Sequence, residues 1–301
     1  MKKLIILLIM LSFFKSNAQD FFLGDYKKPE LLMKLEKYQA KGNTWEHLGF
    51  YIDFDHHYPV TPLDVIPFAA TGGSGIHFGF LTDFGSEKNL ENAPIVLVSP
   101  NNDPPVKLVA NNLKDFLKIV MVIGEAEFLD EEYSSEEEIK TRLAEWDAIS
   151  ENDWQGNPLP KSKVQEAKKK LEKKIIQREN LRKILINKMK ITPMDSIVNY
   201  ISQIRIKRAK EIKLKDFYNI GIKCSCDTSE IKEYNYEVKD ISKIDSFLKT
   251  ASLCEKILFY RNSTFGYILS DGFDEEIKFL IIESLENNGF KRESLILTLK
   301  Y

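Results

Sequence analysis

The stretch TGGSGIHFGFLTD, residues 71–83, decides the reading of the fold. Gly72, Gly73, Ser74 and Gly75 supply a tight turn, and residues 75–83 alternate small, aromatic and aliphatic side chains over the length of a strand. A second strand is expected over 94–99 (PIVLVS), framed by Pro94 and the turn-rich NNDPP of 101–105. A phosphate-binding loop would need its glycines to lead into a helix, whose free N–H groups hold the anion. Here they lead into a strand, with neither a Walker lysine nor GxGxxG, so they are read as turn formers.

Working outward, residues 29–41 repeat Leu31, Leu32, Leu35 and Tyr38 on one helical face, and the second half of 45–54 reads as a strand. Residues 106–124 are expected to be one helix, with Val109, Leu113, Phe116, Leu117 and Val120 at helical spacing. Ser135 with Glu138 three residues later is a capping box opening a helix over 136–149. Gly156, Pro158 and Pro160 make 150–160 a boundary. Beyond it, Val164, Ala167, Leu171, Ile175, Leu181, Leu185 and Met189 form a helical stripe interrupted by Arg178, and Thr192-Pro193 separates this helix from another over 194–213. The last part is expected to hold strands at 256–261 and 264–269 joined by a turn at Asn262-Ser263, a helix over 274–288 and a strand over 294–300.

The fold class expected is α+β: a small antiparallel sheet flanked by helices, followed by a basic helical region and a C-terminal α/β segment. The division is 1–18 as a signal peptide, 19–160 as the α+β domain, 161–216 as the basic helices and 217–301 as a C-terminal α+β region. The chain of 301 residues, 43% hydrophobic and 29% charged, excludes disordered, collagen-like and multi-span membrane classes. Its net charge of −2 conceals an uneven distribution: −14 over 19–160, +12 over 161–216 and −3 over 217–301. Opposite blocks of this size predict either attraction between the two halves or two oppositely charged outer faces.

Lys2 and Lys3 precede an apolar run over 4–14, and Ser16 and Ala18 supply the small residues of a cleavage site. Export to the periplasm or extracellular space, with cleavage after Ala18, is the expectation. Cys224, Cys226 and Cys254 are an odd set, compatible with one bridge from Cys254 to either of the other two. They lack a fourth ligand for closed zinc coordination.

The densest group of potential ligands is Asp53, Asp55, His56 and His57, in the run DFDHH. Carboxylate with imidazole suits a transition metal, and strand alternation would align Asp53, Asp55 and His57, so a metal-dependent envelope hydrolase is one alternative. The other reading is an exposed polar strand end. Ser74 lies near His77 without forming a G-x-S-x-G elbow. Asp271, Asp274, Glu275 and Glu276 suit a helix start, where negative charge meets the dipole. The basic helices suit a solvated face, packing against the acidic half, or an anionic surface as in a structural envelope protein; export and sparse aromatics speak against nucleic acid. No cofactor is indicated.

Residues 65–121 resemble the SMI1/KNR4, or SUKH, superfamily. The resemblance is carried by Ile66-Pro67-Phe68-Ala69-Ala70-Thr71-Gly72-Gly73-Ser74-Gly75, the strands at 76–82 and 95–98, and Val109-Ala110-Asn111-Asn112-Leu113-Lys114-Asp115-Phe116-Leu117. It implies a compact α+β protein that binds other proteins without catalysis or cofactor, many bacterial members looking like immunity proteins that neutralise toxins by contact. It implies that Pro67, Phe68, Gly72, Gly73 and Gly75 shape the fold's turn and that Phe116-Leu117 anchor a helix to the sheet. The acidic domain would suit a basic partner, with Glu136, Glu137 and Glu138 as the expected binding face.

Overall fold

The computed structural model describes residues 22–42, 44–225, 231–236, 240–265 and 275–300. At its centre is a five-stranded antiparallel sheet whose strands follow one another in chain order: β1 (Tyr51–Ile52), β2 (Val65–Ala70), β3 (His77–Leu81), β4 (Ile95–Val98) and β5 (Val106–Ala110). The protein is α+β, with helices making up most of the rest. Helix α1 (Glu30–Gln39) precedes the sheet; α2 (Leu113–Ile123) and α3 (Glu136–Trp146) follow it.

Alternation along the strands sends one set of side chains to each face, and both sets are buried. Ile66, Phe68, Phe78, Phe80, Ile95 and Leu97 pack with α1 and α2 in the main core. Val65, Leu81, Val96, Val98, Val106 and Leu108 form a second core with Ile204, Tyr218 and Ile220 from the second half of the chain. Coverage on both sides is why these strands read as nearly continuous apolar runs. β2 carries a register shift between Pro67 and Ala69, at the place where a proline can offer no ladder N–H.

The basic region forms two helices, α4 (Lys161–Asn187) and α5 (Ile197–Glu211). The expected attraction between acidic and basic blocks is realised in paired side chains: Glu125 with Lys174, Asp147 with Arg178, Glu132 with Arg205 and Asp83 with Arg208. Arg178, which breaks the apolar stripe, is buried and donates to both carboxylate oxygens of Asp147 at 2.6 and 3.1 Å.

Several expectations are corrected. Residues Val106–Ala110 are not the start of a helix but the edge strand β5, paired with β4; Asn112 then starts α2, its side chain accepting from the Asp115 N–H at 2.9 Å. Val65–Ala70, in which sequence showed no strand, is strand β2 and leads into the Gly-rich turn. The expected strand at 256–261 and the start of the one at 264–269 lie in a single helix, α7 (Leu253–Phe265). Ser252 and Glu255 cap it reciprocally, each side chain accepting from the other's backbone N–H. Residues 266–269 fall outside the described residues. The terminal strand expected over 294–300 is α9 (Lys291–Lys300). With α6 (Ile241–Thr250) and α8 (Glu275–Asn287), these helices make the described residues from Ile241 onward helical rather than α/β. Cys254 is disulfide-bonded.

The helical C-terminal part docks through polar groups as well as apolar ones. Leu63 and Phe84 of the sheet half enter its core. The Arg261 guanidinium, with no solvent exposure, donates to Asp64 and Asp216, and Arg208 donates twice to Asp83 at 2.6 Å. Arg292 donates to three carbonyls, of Phe22, Leu63 and Val65, at 2.7, 2.7 and 3.0 Å. The two halves are therefore joined by buried groups whose partners lie on opposite sides of the junction.

Candidate functional site

Three places gather polar chemistry. The first lies beside the Gly-rich turn. Gly72 and Gly75 hold φ of +85° and +71°, which explains glycine at both, and a Cβ on Gly75 would sit 2.7 Å from the Tyr58 ring. Gly73 has no such constraint: a Cβ there would meet nothing within 4 Å. Of the expected fold residues, Phe68 is buried in the core against Phe80 and Phe116, and Phe116 and Leu117 anchor α2 to the sheet.

The turn brings His77 against the loop that follows β1. His77 Nδ1 donates to the Gly75 carbonyl at 2.8 Å, which leaves Nε2 of the neutral ring to accept from Thr61 Oγ1 at 3.1 Å. Burial lowers its pKa to about 4. Tyr58 stacks on it, and His56 lies 6.1 Å away between centroids. His56 Nδ1 donates to Asp53 at 2.7 Å. The other Asp53 oxygen accepts the Asp55 backbone N–H at 2.9 Å, and Asp55 is exposed. His57 turns away and stacks on Phe22, and burial holds its pKa well below the imidazole range.

DFDHH is therefore a set of local pairings rather than a common focus. Asp53, Asp55 and His57 do not share one face, because β1 ends at Ile52 and the run lies in a loop. Among the described residues no group of three or more His, Cys, Asp or Glu side chains is placed to hold a metal ion.

The second place is a cleft of about 390 Å³ between the sheet and α5, lined by Asp83, Asn111, Asp115, Lys207, Arg208 and Lys223 among others. Its charges are largely matched within the fold. Arg208 holds Asp83, Lys118 bonds Asp115 at 2.9 Å, and Tyr200 donates to Asp115 while accepting the Asn111 N–H. Sequence inspection missed this assembly, whose members come from separated segments without a linear motif.

The third place is the acidic stretch 130–153, with 10 acidic and 2 basic residues. The three glutamates expected to form a partner face have different tasks. Glu136 accepts the backbone N–H of Val198 at 2.8 Å, tying α3 to the start of α5. Glu138 reaches back to the Ser134 N–H at 2.8 Å while its own N–H is capped by Ser135, and this bonding lowers its carboxyl pKa. Glu137 is exposed and accepts from Lys140 across one turn, at 3.3 Å.

Exposed Glu145 and Glu151 extend the acidic surface, together with two aromatics. Trp146 is 44% exposed, with Arg142 and Lys174 over its ring. Trp154 is 91% exposed at the tip of a small hairpin. An aromatic at such a tip beside negative charge is suited to docking a protein. No family model and no curated protein matches this chain.

Proposed function

We propose that the chain is an exported, non-catalytic protein-binding module of the SMI1/KNR4 kind, its most specific form being immunity against a basic toxin. One observation carries the reading: residues 130–154 put the excess of negative charge and two exposed indoles, Trp146 and Trp154, on one continuous piece of chain. Acidic side chains there steer a basic partner, and an indole supplies contact area at low entropic cost. The α+β architecture, an antiparallel sheet flanked by helices, agrees with what the family resemblance implies. Glu137, Glu145 and Glu151 would form the charged part of the face, with Glu136 held to the start of α5 and Glu138 to the cap of α3.

A photo-crosslinking residue at position 137 or 145, in the protein produced in its own cells, tests the reading. The expected result is one recurrent basic protein on the crosslinked product, lost when the other two of Glu137, Glu145 and Glu151 are changed to Lys. Crosslinks that ignore the charge reversal overturn it.

A further inference from the structure

The hairpin that carries Trp154 is tightly built for a segment that buries so little. Asp153 Oδ1 accepts the N–H groups of Gln155 and Asn157 at 2.9 and 2.8 Å, and the Asp153 N–H reaches the Asn157 carbonyl at 2.8 Å. Asn152 bridges Pro158, and the Leu159 N–H reaches the Glu151 carbonyl at 2.8 Å. The result is an ordered platform that holds an indole in water.

Immediately after it, α4 starts without support. None of residues 161–177 is buried, and the hydrogen bonds of α4 to the body begin at Lys174. Along this free length, about 20 Å at 1.5 Å per residue, Val164, Ala167, Leu171 and Ile175 form an apolar stripe that stays half-buried at best. Residues 161–174 carry 7 basic and 2 acidic side chains. Thus consecutive segments of the chain hold an acidic surface, an exposed indole and a basic helix with a half-buried apolar stripe.

We propose that these features meet their complement on a second copy of the chain. In a two-fold pair the basic start of α4 lies along the acidic 130–153 surface of the other copy, and Trp154 of each covers the Val164–Leu171 part of the other's stripe. Such pairing is isologous, since one surface carries both members of each contact. An anionic membrane fits less well, because Glu151 and Asp153 beside the indole on the hairpin repel it. The inference uses the acidic face of the proposed function but not its partner: a basic protein and a second copy compete for that face, and either can exist without the other.

The test is the oligomeric state of the processed protein by sedimentation equilibrium. A dimer is expected at roughly 0.1 M salt, weakening towards roughly 1 M as the screening length falls from about 10 to about 3 Å. Trp154→Ala is expected to weaken it about tenfold or more. Lys168→Glu with Lys169→Glu, and Glu137→Lys with Glu145→Lys, should each do the same, and mixing the two reversed proteins should restore a pair. All these positions are exposed, so an unchanged circular dichroism spectrum confirms that the variants are folded. A dissociation constant weaker than about 1 mM overturns the proposal. So does a dimer indifferent to the reversals, failure of the mixture to pair, or a monomer that binds phosphatidylglycerol vesicles through Trp154.

Discussion

Arg261 and Asp64, 197 positions apart, meet with both side chains wholly removed from solvent, the guanidinium Nε donating to the carboxylate at 2.7 Å and Nη2 to its other oxygen. Arg261 also binds Asp216 at 2.8 Å. Burial alone would lower the arginine's pKa, but Asp64, Asp216 and Asp83 together raise it, so the charge is locked in place. The pair fixes how α7 sits on the sheet half. Removing one member strands the other in a dry interior, so Arg261→Met is expected to cost about 3–5 kcal/mol. Equilibrium urea unfolding measures this; a loss below about 1 kcal/mol would mean that the carboxylates find water or other donors.

The Gly-rich turn offers an internal control. Gly75→Ala places a Cβ against the Tyr58 ring in left-handed backbone and should destabilise by about 1–3 kcal/mol. Gly73→Ala, in open space without positive φ, should stay within about 0.5 kcal/mol. Thermal unfolding of the two variants side by side decides it, and equal effects would contradict the geometry.

The adjacent glutamates of α3 should separate in the same way. Glu136→Lys and Glu138→Lys each break bonds to backbone N–H groups at helix starts and should lower stability, Glu136→Lys by about 0.5–2 kcal/mol. Glu137→Lys should leave stability within about 0.5 kcal/mol. Chemical denaturation of the three variants checks the order.

Acid should loosen the region around His77. Its folded pKa, about 4, lies below the unfolded value near 6.5, so the stabilising contribution is complete above about 6.5 and disappears as pH falls towards about 4. The full loss is about 3 kcal/mol, and buried His57 acts in the same direction. Unfolding free energy measured between pH 7 and 4.5 should fall, and His77→Gln, which cannot take up the proton, should flatten part of that slope. An unchanged slope would show that His77 does not titrate with unfolding.

What sequence made legible followed from periodic burial and turn chemistry. β1, β3, β4 and α1 to α5 lie where alternation, capping residues and proline breaks place them, apart from the helix start displaced by β5, whereas β2, buried along its whole length, carries no alternation to mark it. The failures share a cause. α7 buries Ile257 to Thr264 without interruption, so no polar face marks its helical period, and its β-branched and aromatic residues imitate strands. In α9, Leu295, Leu297 and Leu299 alternate like a strand, while Arg292, buried and satisfied by three carbonyls, anchors a helix. Asp64, Asp83, Asp216 and Arg261 form no motif because only the tertiary fold brings them together. The DFDHH run misled in the other direction: density along the chain did not become convergence in space.

The sheet's second face has a consequence for the order in which the molecule can be completed. Val65, Leu81, Val96 and Val98 need Ile204, Tyr218 and Ile220 to cover them, and Asp64 needs Arg261. During synthesis the strands emerge long before these partners. A nascent chain truncated near residue 160 would hold half a core and two carboxylates awaiting their counter-ions. The native state is thus committed late, when the final third arrives, and until then the early strands remain open to chaperones.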